Sequence, residues 1–134
     1  MSAHILGDFY SQPKIGLPES YFIERDCWLD CRTPDMITID PLANLGWCIN
    51  FVVQSHNPLP GMFGDVVSRP IQIDAQAFIA AFATLYNCHI GQGAIVALGC
   101  VVRSMNVEPW TIVAGNPAQV IKRFDHFVGR WVKI

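Results

Sequence analysis

The chain has 134 residues, 51% of them hydrophobic and 15% charged, with ten glycines and nine prolines. That is the size of one ordinary domain and too apolar for disorder. A net charge of −2 gives no general attraction to phosphate polymers, so bulk charge argues neither for nucleic-acid coating nor for binding at a membrane surface.

The amino terminus, Met1 to Phe9, lacks a basic stretch followed by an apolar one, so no secretory signal is read there. Residues 1–36, with several prolines and Trp28, are expected to form an irregular N-terminal cap. The long uncharged runs that follow Asp40 and Asp74 are broken by Asn, Gln, His, Pro and Gly and do not resemble a bilayer span. Five cysteines, Cys27, Cys31, Cys48, Cys88 and Cys100, make an odd count without a repeated Cys-x-x-Cys. Buried reduced thiols in a cytoplasmic protein fit that pattern better than a disulfide frame or a zinc ribbon. Pairing of Cys27 and Cys31 with a partner or a metal is the less favoured alternative, and no metal site is expected.

From Ile39 onward large apolar residues recur every six positions, at Ile39, Leu45 and Phe51, then Ile73, Ile79 and Leu85, then, after a one-residue slip, Ile90, Val96 and Val102. Four positions after each stands a small residue in six of the nine cases, and the exceptions are Ile49, His89 and Asn106. A period of six fits neither the 3.6-residue period of an amphipathic helix nor a continuing alternating strand. It fits a coil of three flat faces, in which each hexapeptide is a short strand plus a corner and the large residue fills the interior. Asn44, Gly46, Gly91, Gly93 and Gly99 supply corner backbones tolerant of positive φ. A β-sandwich explains neither the spacing nor the missing Asn-Gly hairpin turns.

The expected fold is therefore all-β, a single domain. A parallel β-helix spans residues 37–113, residues 57–70 leave it as a loop excursion, and residues 114–134 form a C-terminal cap that covers otherwise bare strand edges. Pro117 to Phe127 reads as a short helix with Val120, Ile121, Phe124 and Phe127 on one side, and Arg130 to Ile134 as one more strand. The slip at Leu85–His89 supplies five residues where six are expected, so its corner must be rebuilt. His89 there either points into a groove or is bonded at a distorted corner, the second being favoured.

Three segments resemble the hexapeptide-repeat acyltransferases: Ser55-His56-Asn57, the run from Pro70 to Ile79, and the run from Ile90 through Val102 to the Ala114-Gly-Asn-Pro-Ala118 turn and the basic segment ending at Arg123. The resemblance covers Ile37 to Phe124 and is greatest to the streptogramin, maltose/galactoside and polysaccharide-biosynthesis O-acetyltransferases. It implies a left-handed coil, a homotrimer with active sites at subunit interfaces, and acetyl-coenzyme A bound between neighbouring coils. By position it implies His56 as catalytic base, Ala81 and Leu98 along the pantetheine arm, and Arg103 and Ser104 after the last full hexad. Gln119, Lys122 and Arg123 then fall where the adenosine phosphates lie, with Pro117 near the adenine. Where the family usually has Gly and often Trp, this chain has Ala80 and Phe78.

The implied reaction moves an acetyl group from a thioester to a hydroxyl, or less readily an amine, of a small sugar-like or antibiotic acceptor. An attacking hydroxyl must lose a proton, and imidazole suits that task. Context supports His56 over an ordinary loop histidine, because it precedes a Pro/Gly-rich excursion from a solenoid, where binding faces are commonly built. Met62 and Phe63 either cover an acceptor or pack the loop onto its own coil. No covalent enzyme intermediate is required, so the cysteines need not be nucleophiles. Two rivals remain: a non-catalytic trimeric module, and a zinc carbonic anhydrase of the same repeat class, for which the chain lacks the paired His-x4-His.

Overall fold

The computed structural model describes residues 26–134 and two strands further upstream, β1 (His4–Leu6) and β2 (Lys14–Ile15). The chain winds into a coil of parallel strands with three faces. The first face stacks β1, β3 (Trp28–Asp30), β6 (Asn50–Val52) and the opening halves of β11 (Thr84–Ile90) and β13 (Val101–Val107). The second stacks β2, β4 (Ile37–Ile39), β9 (Ile71–Ile73) and the closing halves of β11 and β13. The third stacks β5 (Asn44–Leu45), β10 (Phe78–Ile79), β12 (Ile95–Val96) and β14 (Thr111–Ala114).

All nine residues of the six-residue period lie inside, none more than 4% exposed. They form three ladders running along the coil: Phe51–Leu85–Val102, Ile39–Ile73–Ile90–Val107 and Leu45–Ile79–Val96–Val113. Each fully buried side chain of this kind contributes about 2 kcal/mol of transfer free energy, so the ladders are the main cohesive element. Residues in register on successive coils, such as Ile79, Val96 and Val113, are seventeen apart. One turn is thus two hexads and a pentad, and the pentad recurs from Leu85 to Ile90 and from Val102 to Val107. The slip is therefore a regular part of the coils that follow the hairpin.

The corners explain how five residues suffice. Non-glycine residues occupy the left-handed region at stacked positions: Asn87 and Ser104 at the pentad corner, Gln76 and Trp110 with Gly93 at a second, Cys48 and Phe82 with Gly99 at the third. That conformation costs about 1–2 kcal/mol per non-glycine residue, and coil-to-coil hydrogen bonds offset it, among them Phe82 N–H to the Trp47 carbonyl at 2.9 Å and Gly99 N–H to that of Ala81 at 3.0 Å. Of the expected corner residues, Gly93 and Gly99 have positive φ, whereas Asn44, Gly46 and Gly91 do not. Gly46 serves close approach instead: a Cβ there would lie 2.7 Å from the Ala81 nitrogen.

Three expectations are corrected. The helix expected over Pro117–Phe127 is a strand, β15 (Gln119–Asp125), which pairs antiparallel with β14 and then with β16 (Arg130–Lys133). Among the described residues there is no helix. β-Branched Val120 and Ile121 suit a strand, and β14 offers an open edge of unpaired backbone groups, so edge pairing wins over the helical spacing. Phe127, the last residue of the supposed apolar stripe, is fully exposed.

The parallel stack also starts before Ile37, since β3 lies under β6 and Cys27, Leu29 and Cys31 are buried in the core. Leu29 stands opposite Phe51, twenty-two residues on, which breaks the period and hides this coil from a search for sixes. Finally, the excursion is an antiparallel hairpin of β7 (Gln54–Leu59) and β8 (Met62–Ser68) turning at Pro60-Gly61, so it leaves the coil ahead of residue 57.

Candidate active site

The hairpin leaves the coil at the pentad corner. Val52 stands opposite Tyr86 and Ile71 opposite Cys88, so residues 53–70 take the place that Asn87 alone fills one coil later. His56 sits on β7, exposed, with its ring centroid 5.3 Å from that of Phe63 on β8. Met62 and Phe63 are exposed at 61% and 79%, so neither packs the hairpin onto its coil.

Polar groups at the hairpin's base tie it down. The Ser55 and Tyr86 hydroxyls share a hydrogen bond of 2.6 Å. The Gln54 backbone N–H donates to Asp30 Oδ2 at 3.0 Å, and its side-chain amide donates to the Thr33 hydroxyl at 3.0 Å. Thr33 in turn meets the Ser68 hydroxyl at 2.6 Å. Arg32 grips Asp30 from Nε and Nη2, each at 2.8 Å. Burial would raise the Asp30 carboxyl, but the bonds from Arg32 and Gln54 prevail and hold it at about 2. Sequence reading missed this network, and its only trace was the Asp30-x-Arg32 spacing, which sets opposite charges on one face at a strand end.

The expected cofactor residues fall into separate groups on one protomer. Arg103 and Ser104 share the pentad corner with the hairpin, and Ser104 accepts a hydrogen bond from the Asn87 amide at 3.1 Å. Ala81 and Leu98 stack on the corner that also holds Trp47 and Phe82, with Leu98, Trp47 and Phe82 all exposed. Pro117 joins them, since the turn around it is held by Val101 N–H to the Gly115 carbonyl and Ala118 N–H to the Val101 carbonyl, both 3.0 Å. Gln119 starts β15 beside this corner, opposite Ala114. Lys122 lies mid-strand opposite Ile112, and Arg123 lies opposite Thr111 at the far end, where it donates to Glu108 at 3.1 Å. Lys122 and Arg123 therefore do not meet Ala81 and Leu98 at one edge of the protomer.

The remaining reactive side chains have structural partners. His89 Nε2 lies 2.7 Å from Asp74 Oδ2, whose other oxygen accepts from Gln72 at 3.0 Å, so His89 is the bonded corner histidine. His126 packs edge-on against Trp110 and Phe124. Burial pushes the Cys88 thiol up to about 12 and, helped by the nearby Asp30 charge, the Cys31 thiol up to about 11, and it raises Cys100 as well. Thiols held so far above neutrality are poor nucleophiles. Among the described residues no cluster of three or more His, Cys, Asp or Glu side chains could hold a metal ion. No helix among them is long and apolar enough to cross a membrane.

The coil is shared with solved acetyltransferases. A hexapeptide-repeat acetyltransferase from Vibrio cholerae O1 biovar eltor, complexed with acetyl-coenzyme A, superposes with a TM-score of 0.66 at 25% identity, over 74% of this chain and 54% of that one. A maltose O-acetyltransferase from Clostridium difficile 630 gives 0.65 at 19% identity, over 92% and 60%. Among curated proteins, a 2,3,4,5-tetrahydropyridine-2,6-dicarboxylate N-acetyltransferase from Staphylococcus aureus (strain bovine RF122 / ET3-1) is 39% identical over 66 residues, 48% of this chain and 27% of that protein. The chain thus spans about a quarter of that relative and little more than half of the two structures. No family model matches the chain. The fold is that of the hexapeptide-repeat acetyltransferases, a left-handed parallel β-helix.

Proposed function

We propose that the protein is an acetyl-coenzyme A-dependent acetyltransferase acting on a hydroxyl of a sugar-like or antibiotic acceptor. The observation that carries this reading is the placement of exposed His56 on a hairpin at the corner on which Arg103 and Ser104 stack two coils later, in a coil like that of an acetyltransferase complexed with acetyl-coenzyme A. His56 takes the proton of the acceptor hydroxyl as that oxygen attacks the thioester carbonyl. The new C–O bond forms, the C–S bond breaks, and the imidazolium returns the proton to the departing thiolate, all within one ternary complex. No acyl-enzyme is formed, in keeping with the raised thiols.

The active unit in this reading is a homotrimer. One protomer supplies the hairpin edge and its neighbour the edge of Ala81, Leu98, Pro117 and Gln119, which accounts for the distance between the two groups on a single chain. Support comes from the apolar side chains left outside: exposed Phe78 in register with half-buried Ile95 and Ile112, beside Trp47, Phe82 and Leu98. Contiguous apolar surface of this kind marks an interaction face. In this reading Lys122 meets the coenzyme A phosphates, whereas Arg123 must first leave Glu108. A cytoplasmic location fits five cysteines outside any disulfide. An amine acceptor is the second reading, favoured by the N-acetyltransferase among the relatives.

The test is thermal stabilisation by acetyl-coenzyme A, followed by transfer to maltose, methyl β-galactoside and an amino sugar. A ligand that binds the native state raises its melting point. His56→Ala is expected to keep that stabilisation and to lower transfer on the order of 100- to 10,000-fold. No stabilisation by acetyl-coenzyme A would overturn the proposal, and unchanged transfer would remove His56 as the base.

A further inference from the structure

Resting on His56 as the base, we infer that Asp30, with Thr33 and Tyr86, positions it, by clamping both arms of the hairpin to the coil below and the arm that carries His56 to the coil above. Residues 56–63 are exposed throughout, and the apolar tip residues Leu59, Met62 and Phe63 stand in solvent. Nothing along the arms packs into the core, so the pose of the hairpin is decided at its base.

There the two arms converge on one short segment of the preceding coil. Gln54 on β7 reaches Asp30 through its backbone and Thr33 through its side chain, while Ser68 on β8 reaches the same Thr33 hydroxyl. Asp30 is a firm anchor, since it is 4% exposed, flanked by buried Leu29 and Cys31, and held at both oxygens by the Arg32 guanidinium. A bidentate pair of this kind fixes orientation as well as charge. From the following coil Tyr86 holds Ser55, the residue next to His56. His56 is therefore carried on a strand pinned from two coils at once, two residues beyond the Asp30 contact.

Such support matters because a displacement of about 1 Å in a reacting group can cost on the order of 100-fold in rate. None of the three clamp residues need touch either substrate, so their effect on the reaction runs through His56.

The experiment combines residue-level amide exchange, 1H–13C spectra of the histidine rings, and a double-mutant cycle. Asp30→Asn, Thr33→Val and Tyr86→Phe are expected to speed exchange at the paired hairpin amides, Ser55 and Val67 among them, at least tenfold. They should broaden or split the His56 ring signal, with exchange at Leu85 and Val102 unchanged. Turnover of acetyl-coenzyme A with methyl β-galactoside should fall roughly 10- to 100-fold at an unchanged KM for acetyl-coenzyme A. The same substitutions in a His56→Ala background should cost nothing further, because residues that act through one group are not additive.

Unchanged hairpin exchange, or losses that multiply with His56→Ala, would overturn the clamp as a positioning device. If Asp30→Asn does not fold, the two single-hydroxyl deletions carry the same readouts. Full activity in His56→Ala would instead sink the functional reading, and exchange and ring spectra, which need no turnover, would still judge the clamp.

Discussion

Asp30 makes a quantitative prediction about acid stability. Its carboxyl lies at about 2 in the folded chain against an ordinary value of 3.8, and each pH unit of such a difference is worth about 1.4 kcal/mol. The folded state therefore gains about 2 kcal/mol from this one ionisation. The gain is fully present above about pH 4, where the carboxyl is charged in both states. It is lost as pH falls through about 2, where the folded carboxyl is finally protonated. Asp30→Asn removes it at every pH, leaving Arg32 half-exposed and able to find water.

The assay is urea unfolding of the wild type and Asp30→Asn between pH 2 and pH 7. The stability difference between them should hold steady down to about pH 4 and then shrink by about 2 kcal/mol as pH approaches 2. Comparing the two proteins cancels the other carboxylates, which titrate alike in both. A difference independent of pH would refute the argument, because it would mean that the charge of Asp30 contributes nothing and only its shape matters.

Three further outcomes test the coil itself. Gly93→Ala should destabilise by about 2 kcal/mol, since a Cβ there meets the Trp110 ring at 2.4 Å on a backbone with φ +68, while Gly61→Ala, with φ +76 and open space around it, should cost only about 1 kcal/mol. Equal effects in chemical denaturation would mean that the Trp110 contact is slack. Leu85→Ala, at the middle of an interior ladder, should cost about 2–5 kcal/mol by the same measurement. At pH 8 a thiol reagent should label Cys48, which is partly exposed, well before Cys31, Cys88 and Cys100, which are buried with raised thiols and should react only on unfolding. Fast labelling of Cys88 in the native protein would contradict the closed pentad corner.

The interior of this fold was legible because it is written in residue type at a fixed spacing. Every large residue at the six-residue positions is buried, and the side chains inside need only be apolar and about the right size. The corners were harder to read, because most of their left-handed positions are filled by Cys48, Gln76, Phe82, Asn87, Ser104 and Trp110, and a rule that looks for glycine passes over all of these. Stacking explains the tolerance: once two neighbouring coils fix the path, hydrogen bonds between them hold a strained residue that no local signal predicts. The C-terminal segment failed for the complementary reason. Val120, Ile121, Phe124 and Phe127 satisfy a helical spacing, but the open edge of β14 offers backbone partners that no side-chain pattern records.

The same contrast explains why the candidate site was only half visible. His56 could be singled out because it stands where the repeat is interrupted. Its supports, Asp30, Thr33, Ser68 and Tyr86, are scattered over fifty-seven positions and obey no period. Interruption and support are linked physically. Eighteen residues can replace one at the pentad corner because the register on either side is untouched, with Val52 still opposite Tyr86 and Ile71 still opposite Cys88. A longer loop adds little closure entropy, growing only with the logarithm of its length. A corner is thus where a solenoid can project a reactive side chain without disturbing its core. A hairpin projected there has no core of its own, so the hydrogen bonds at its base must supply the rigidity that burial gives to the rest of the coil.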